Sequence, residues 1–288
     1  MLEQFKNFNY QKYMSKNPFY ERLGERKPKK IQKIVYEPSF SVDRKNHEPF
    51  PTEYDDLARL HYLIRKRKAL TVLEFGVGKS TVVFADALLR NKKDYEQKIK
   101  NLRCSNPWEC YSVDNNKEWI SKCKRLMPKE FFDSKISHLH LSNFHTNTFQ
   151  DRICTFFDSI PNISPDFIYL DGPDQFSSKG NIRGISTKHP DRMPMSGDIL
   201  TFEHFLQPGT LIVVDGRTAN VRFLKCNLQR NWKYDYSKKF DQHFFELLEE
   251  PLGVYNERRI RFCLRNSYFV RLKKIQKIMN FSEKVQHI

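Results

Sequence analysis

The sequence predicts an α/β protein with a doubly wound, mostly parallel, seven-stranded sheet. Short, continuously apolar segments alternate with segments of helical apolar spacing over about residues 70–250, and four of the five apolar segments before residue 220 end directly in a carboxylate. Continuous apolar strands separated by helices are typical of a parallel sheet covered on both faces. Ligands bind beyond the carboxyl ends of such strands, so the same pattern predicts where the functional site lies.

The predicted domain opens with a helix after Pro51, with Thr52 as its N-cap and Asp55 three residues later. The apolar segments predict buried strands at 70–73, 109–113, 136–141, 167–170 and 210–214. Helical spacing predicts helices at 81–89, 117–126, 149–159, 196–205 and 217–229. Two further segments, 232–240 and 244–248, predict an antiparallel pair that closes the sheet.

Composition divides the chain into three parts. Residues 1–50 are polar, aromatic and basic, and predict an extended arm that packs on the domain or on a partner. Residues 51–250 form the predicted α/β domain. Residues 251–288 are basic with a helical apolar stripe, which predicts a helix packed on the domain, with a membrane-surface helix as the alternative.

The composition excludes several classes of protein. Of 288 residues, 39% are hydrophobic, which is enough for a core and argues against global disorder. No apolar run reaches the length of a membrane span, and the first residues lack the apolar segment of a signal peptide. The six cysteines form no C-x-x-C pair and predict reduced thiols. We therefore expect a cytoplasmic protein.

The net charge of +16 predicts attraction to polyanions such as RNA, DNA or an acidic membrane surface. Basic clusters lie at 26–30, 65–68 and 271–277, and in the sequence none alternates with aromatic residues as in a base-stacking platform. The charge also fits a Lys-, Asn-, Phe- and Ile-rich chain encoded by an AT-rich genome. We favour this compositional explanation, which leaves nucleic acid as a less favoured partner.

The segment "GVGKST" at residues 76–81 looks like a phosphate-binding loop. A Walker A loop reads G-x-x-x-x-G-K-[ST], and the glycine that should open it falls at Leu73. The next residue is Glu74, whose carboxylate would repel a triphosphate. An NTPase is therefore the least favoured function.

The predicted strand ends carry most of the chemistry. Buried carboxylates are costly unless they are paired, so a purely structural sheet would not need them. The five ends are Glu74 with Gly76 and Gly78, then Asp114, then Ser142 with Asn143, then Asp171, and finally Asp215.

Four segments, "VLEFGVG", "YSVDNN", "FIYLDGP" and "LIVVDG", occur in this order. They resemble the class I S-adenosylmethionine-dependent methyltransferases over about residues 70–250, and small-molecule and sugar O-methyltransferases in particular. The resemblance implies a Rossmann-like methyltransferase fold and S-adenosylmethionine as cofactor. It implies that Gly76 and Gly78, with Glu74 nearby, approach the methionine part and that Asp114 binds the ribose hydroxyls. It extends the cofactor contacts to Ser80, Thr81, Asn115, Asn143 and Asp171.

Two departures from related patterns bear on the cofactor. The loop has Ser80 where the methyltransferases have a third glycine, and residues 90–107 must be an insertion. A nicotinamide dehydrogenase would read G-x-G-x-x-G, and its third glycine would fall at Thr81. The absence of the dehydrogenase's third glycine favours the methyl-donor cofactor over a nicotinamide.

Methyl transfer to a hydroxyl requires a proton acceptor or a metal ion. Asp171 and Asp215 end strands that should be neighbours, and the resemblance implies that they act in catalysis and could hold a divalent cation such as Mg²⁺. The related enzymes have a third ligand after the second acid, where this chain has Gly216. Asp174 or another residue of the loop 174–198 could supply that ligand.

The loop 174–198 is unusually long, and such loops are often functional. We expect it to hold the acceptor, with His189 as a candidate for proton transfer. The other candidates for acceptor binding are Asp174, Arg192, Arg217 and Asn220. The predicted acceptor is a sugar, a glycan or a related small polar metabolite. The alternatives are an RNA methyltransferase and a non-catalytic nucleic-acid-binding protein.

Overall fold

The computed structural model describes residues 2–29 and 52–286. Its centre is a seven-stranded sheet of order β3-β2-β1-β6-β7-β9-β8. The first five strands in this order are parallel, and β9 pairs antiparallel with both β7 and β8. The strands of this sheet are β1 (Thr71–Phe75), β2 (Glu109–Asp114), β3 (Ser137–Leu141), β6 (Phe167–Leu170), β7 (Leu211–Asp215), β8 (Trp232–Ser237) and β9 (Gln242–Leu247). This order confirms the predicted doubly wound, mostly parallel, seven-stranded sheet.

Helices cover both faces of the sheet because alternate side chains of each strand point to opposite sides. Val72 joins the apolar cluster on one face, and Leu73 and Phe75 join the cluster on the other. The longer helices after residue 52 are α3 (Tyr54–Arg67), α4 (Lys79–Tyr95), α5 (Lys117–Leu126), α8 (Thr218–Asn227), α9 (Gly253–Leu264) and α10 (Asn266–Gln286). Two short helices, α6 (Lys129–Asp133) and α7 (Asp198–Phe202), complete this set, and α7 continues as a 3₁₀ turn at Glu203–Phe205.

The predicted helix at 149–159 is wrong. The segment belongs to a separate antiparallel hairpin of β4 (Phe144–Phe149) and β5 (Arg152–Phe157). Gln150 and Asp151 connect the strands with φ values of 48° and 62°. Consecutive left-handed residues form a tight hairpin turn and interrupt a right-handed helix.

The described part of the N-terminal arm packs on the domain, as predicted, but it is helical and not extended. Residues 2–29 contain α1 (Tyr10–Lys16) and α2 (Phe19–Arg22), and they pack on the domain through fully buried Met14 and Phe19. Residues 30–50 of the predicted arm lie outside the described residues.

The predicted cap of α3 is replaced by another contact. The N-cap position is Glu53, whose side chain makes no capping hydrogen bond. Thr52 instead donates its hydroxyl to Glu25 of the N-terminal segment at 2.8 Å.

The C-terminal helices pack on the domain, as predicted for the tail. Tyr268 of α10 is fully buried and donates its hydroxyl to the carbonyl of Glu249 at 2.7 Å. Leu272 packs beside it in the same apolar cluster. Over residues 2–29 and 52–286, none of the helices combines the length and the apolarity needed to cross a membrane.

Candidate cofactor and catalytic site

The loop between β1 and α4 is organised around the buried carboxylate of Glu74. This carboxylate accepts hydrogen bonds from the hydroxyls of Ser80 (2.5 Å), Thr81 (2.7 Å) and Ser112 (2.5 Å). Burial raises the pKa of Glu74 to about 7, against the opposing effect of the three hydroxyl donors. These hydrogen bonds join Ser80 and Thr81 to Glu74. The three side chains therefore fix the conformation of the loop between β1 and α4.

Two glycines of this loop have different surroundings. Gly76 has φ = 98°, and a Cβ on it would lie 2.9 Å from the backbone nitrogen of Gly172, in the loop after β6. A Cβ on Gly78 would meet nothing within 4 Å. Gly76 is thus required by backbone packing, whereas the space beside Gly78 is open to a ligand.

Asp114, at the end of β2, is tied to the glycine loop. Its carboxylate accepts hydrogen bonds from the backbone N–H groups of Val77 (3.0 Å) and Asn116 (2.7 Å). Burial raises the pKa of Asp114, and these N–H groups act in the opposite direction. A carboxylate offers about four acceptor positions, so part of the acceptor capacity of Asp114 remains for hydroxyl donors. The neighbouring Asn115 is half-buried at the same edge.

Asp171 and Asp215 follow the ends of the adjacent strands β6 and β7, where Leu170 is in register with Val214. Arg217 lies beside them and donates to the backbone carbonyls of Pro173 (2.9 Å) and Asp171, with its Nε 3.9 Å from a carboxylate oxygen of Asp171. The structure therefore brings together Asp171, Asp215 and Arg217, as predicted.

The two carboxylates have raised pKa values. For Asp215 the causes are burial first and the charge of Asp171 second. Enclosure by protein also raises the pKa of Asp171, and Arg217 opposes this. Since 53% of the Asp171 side chain is exposed, this carboxyl lies in a cleft that water enters, and we expect the displacement of its pKa to be the smaller of the two. Glu53 contributes a further negative charge to both.

Two residues that sequence reasoning missed lie beside Asp215. Gln242 on β9 is in register with Asp215, and its side chain opposes the rise in the pKa of that carboxyl. The fully buried Arg59 of α3 donates its Nε–H to the side-chain amide oxygen of Gln242 at 3.1 Å. Arg59 and Gln242 are 183 residues apart, and only the closed sheet brings them together.

The loop 174–198 is held by contacts within itself. Gln175 donates its amide to the carbonyls of Arg192 (2.6 Å) and His189 (3.3 Å). The imidazole of His189 is exposed and lies 3.8 Å from the carboxylate of Asp191 in the same loop. Arg192 is exposed and donates to the carbonyl of Ser186 at 2.6 Å. Asp174 is exposed at the start of this loop.

Two predicted site residues have structural partners instead of an open face. Asn220 is fully buried, and its amide bonds to the backbone N–H and carbonyl of Ser196 at 2.8 and 2.9 Å. Asn143 is exposed and accepts a hydrogen bond from Lys179 at 2.9 Å. These contacts anchor both ends of the segment that contains the long loop.

Within the described part of the chain, no group of three or more His, Cys, Asp or Glu side chains is arranged to hold a metal ion. Neither Asp174 nor His189 therefore completes a set of three ligands with Asp171 and Asp215.

Comparison with known proteins gives structural matches alone. The chain matches no protein family profile and no curated protein sequence. It is similar to an O-methyltransferase of Streptomyces achromogenes involved in tomaymycin synthesis and solved with SAM, at 14% identity over 68% of this chain and 81% of that one, with a TM-score of 0.37. It is also similar to a SAH-bound methyltransferase of Podospora anserina, at 10% identity over 69% and 80% of the two chains, with a TM-score of 0.40.

A third match is an O-methyltransferase of Bacillus cereus in complex with SAH, at 10% identity over 86% of this chain and 95% of that one, with a TM-score of 0.37. At these values the matches carry no information about the ligand of this chain. Its fold is defined by its own strand order and register.

Proposed function

We propose that this protein is an S-adenosylmethionine-dependent methyltransferase that methylates a hydroxyl group of a small polar acceptor. The observation that carries the proposal is the hydrogen bond from Val77 N–H to Asp114, which joins the glycine loop to the acid of the next strand. The two form one wall at the carboxyl edge of the sheet, where ligands bind in this fold class.

The residues present fit the proposed cofactor. The open space beside Gly78 admits a ligand close to the backbone, and the remaining acceptor positions of Asp114 suit the vicinal hydroxyls of a ribose. When bound, S-adenosylmethionine would supply an activated methyl group for in-line displacement. The chain's part is to orient the two reactants, which is worth up to about 7–11 kcal/mol for well-aligned partners.

The carboxylate pair supports the proposed O-methylation. An acceptor hydroxyl must lose its proton as the methyl group arrives, and a carboxylate with a raised pKa is a stronger base than an ordinary one. Burial and the charge of Asp171 raise the pKa of Asp215. We assign the proton acceptor to this pair, with His189 as the alternative.

Arg217 supports an acceptor that is polar or anionic. Its guanidinium is anchored on the carbonyls of Asp171 and Pro173 and lies beside the carboxylate pair. Asp174 and Arg192 are exposed on the loop that follows β6 and can contact the outer part of an acceptor. A sugar, a glycan or a related metabolite fits these hydrogen-bonding groups.

Mg²⁺ is the alternative activator of the acceptor. Asp171 and Asp215 would hold it with oxygen atoms from water and acceptor, because Mg²⁺ is usually bound through one or two carboxylates. Assays with EDTA separate the possibilities: full activity in EDTA assigns proton removal to a side chain, and loss of activity that Mg²⁺ restores assigns a metal.

Calorimetric titration with S-adenosylmethionine, its demethylated product and ATP tests the proposal. We expect the first two to bind with micromolar affinity and ATP not to bind. Binding of ATP without binding of S-adenosylmethionine would refute it. Incubation with labelled cofactor and sugar nucleotides, glycans or RNA would then identify the acceptor class.

A further inference from the structure

A basic cleft lies at the opposite edge of the sheet from the candidate active site. It has a volume of about 920 Å³ and runs between the C-terminal end of α3 and the start of α10. Lys68 in its wall precedes β1, and Glu246 in its floor is in register with Leu211, the first residue of β7. Asp215 is at the other end of β7, about 13 Å from Leu211 for four steps of about 3.3 Å each.

The lining of the cleft is strongly cationic. Its positively charged residues are Arg65, Lys66, Arg67, Lys68, Arg265 and Arg271, and its one acidic residue is Glu246. The Glu246 carboxylate is already shared by Arg67 (2.8 Å) and Arg271 (2.7 Å). Lys66 and Arg265 are exposed at the rim. Arg65 is paired with Asp94 at 2.6 Å. The positive charge of Lys66, Lys68 and Arg265 remains in excess in the lining and favours an anionic ligand.

Tyrosine rings lie among these cations. Tyr13, Tyr62 and Tyr95 line the cleft, and Lys66 and Lys68 lie over the rings of Tyr62 and Tyr95 at 5.5 and 5.0 Å. In the sequence the basic clusters 65–68 and 271–277 are separate, and neither alternates with aromatic residues. The fold brings the first cluster and the start of the second together around three tyrosines.

The positive charge continues beyond the cleft along α10. Lys273, Lys274 and Lys277 are exposed on this helix, and residues 251–288 contain nine lysines and arginines against two glutamates. A concave, cationic site with aromatic rings and a cationic extension matches what single-stranded nucleic acids require: a groove that follows the phosphates and rings on which bases stack.

The packing of α10 argues against a membrane as the partner. An interfacial helix must insert its apolar face into the lipid, but Leu272 is buried in the protein and Phe269 and Ile275 pack against the same cluster. The cleft is a concavity, and a flat bilayer does not enter it.

We propose that this cleft binds a single-stranded nucleic acid, with its phosphates at the lysine and arginine side chains and its bases against the tyrosines. This binding is independent of the proposed methyl transfer, because the cleft and the carboxyl edge of the sheet are separate. A nucleotide held in the cleft is not positioned at Asp171 and Asp215.

Fluorescence anisotropy with a labelled single-stranded RNA of about 15 nucleotides tests the proposal on the full chain. We expect binding that weakens steeply with salt, and weaker binding of a duplex of the same length. The double variant Lys66→Glu with Arg265→Glu should lose affinity by at least about tenfold. The control, Lys124→Glu with Arg125→Glu on the exposed face of α5, makes the same change in net charge and should lose less than about twofold.

A second variant tests whether misfolding of the first variant causes the loss of affinity. Lys66→Gln with Arg265→Gly removes charge without reversal, and glycine suits the φ of 56° at residue 265. Equal losses in the cleft and control variants would overturn the proposal, since they would assign binding to diffuse charge. Absence of RNA binding would overturn it too, as would cleft-dependent binding of phosphatidylserine vesicles without binding of RNA. Calorimetry with S-adenosylmethionine on the same variants reports the active site separately.

Discussion

The backbone of Gly172 lies directly against the backbone of Gly76. A Cβ on Gly172 would lie 2.5 Å from the Cα of Gly76, and the N–H of Gly172 donates to the carbonyl of Phe75 at 2.6 Å. The loops after the adjacent strands β1 and β6 therefore approach as closely as two backbones can. This contact sets the spacing between the glycine loop and Asp171, the two parts of the proposed site.

Substitution of the two loop glycines should separate folding from binding. Gly76→Ala places a Cβ at φ = 98° and against Gly172, so we expect the free energy of unfolding to fall by about 2 kcal/mol or more. Gly78→Ala meets no atom within 4 Å and has an extended backbone. It should leave stability within about 0.5 kcal/mol and weaken binding of S-adenosylmethionine, because its methyl group enters the ligand space.

Chemical denaturation and calorimetry on both variants check this pair of results. If Gly78→Ala binds the cofactor as tightly as the wild type, the space beside Gly78 is not the cofactor site.

Asp114→Asn tests the proposed ribose contact. The amide oxygen can still accept a backbone N–H, but the charge that strengthens hydrogen bonds to two hydroxyls is lost. We expect the affinity for S-adenosylmethionine to fall by about 10- to 100-fold, or about 1.4–2.8 kcal/mol. The control is Asp151→Asn in the exposed turn between β4 and β5, where asparagine tolerates the left-handed backbone. Equal affinities of the two variants would remove Asp114 from the cofactor site.

The sheet could be predicted because its strands are nearly uniform in character. The segments of β1, β6 and β7 are mostly apolar, and each ends at its carboxylate (Glu74, Asp171 or Asp215) or within one residue of it. The β4–β5 hairpin could not be predicted in the same way. Phe149, Ile153 and Phe157 are spaced four residues apart, which fits a helix, and no glycine marks the turn at Gln150 and Asp151.

The candidate site was predictable only to the level of strand ends. Local sequence places Asp114, Asp171 and Asp215 at one edge, because parallel strands end together. It does not reveal Arg59 and Gln242, whose contact with each other depends on the closing strand β9. It also does not show that the Asn220 side chain is hydrogen-bonded to the backbone of Ser196, since a polar residue looks the same in sequence whether or not it has a partner.

Asp215→Asn tests the proton acceptor. The amide preserves the shape of the side chain and removes the base, and general base catalysis typically contributes about 10²- to 10⁴-fold. We expect kcat to fall by at least about 100-fold with the affinity for S-adenosylmethionine unchanged. In the wild type, the raised pKa of Asp215 means that the basic form accumulates only as pH rises above the ordinary range of an aspartate. Activity should therefore rise with pH through neutrality.

The pH–rate profile of the variant decides between Asp215 and His189. Loss of activity with an unchanged pH profile would exclude Asp215 as the base, and the same outcome should then be sought with His189→Gln.

Glu74 predicts a pH dependence of stability. Its pKa is raised from 4.5 to about 7 in the folded protein, so between these values the folded state holds a proton that the unfolded state has lost. The stabilisation is complete below pH 4.5 and disappears as pH rises through 7. Glu74→Gln is always neutral, so its stability relative to wild type should rise across this window by up to about 3 kcal/mol.

Denaturation of both proteins at a series of pH values measures this difference. Glu118→Gln, at an exposed position on α5, is the control and should show at most a small trend. A difference that stays constant from pH 4.5 to pH 8 would show that Glu74 ionises like an ordinary glutamate.

Lys79 decides between the methyltransferase and the NTPase hypotheses. Its ammonium group lies 2.8 Å from the carboxylate of Glu25 in the N-terminal segment and also contacts Thr52. Both side chains of the ion pair are about a quarter exposed, and such pairs contribute about 0–1 kcal/mol. Lys79→Ala should therefore cost at most about 1 kcal/mol of stability, equal to the cost of Glu25→Gln, and leave the affinity for S-adenosylmethionine within about threefold. A phosphate-binding lysine would behave differently, because its loss removes the charge that holds the phosphates. If calorimetry finds ATP binding in the wild type that Lys79→Ala abolishes, the result supports the NTPase hypothesis and refutes the methyltransferase hypothesis.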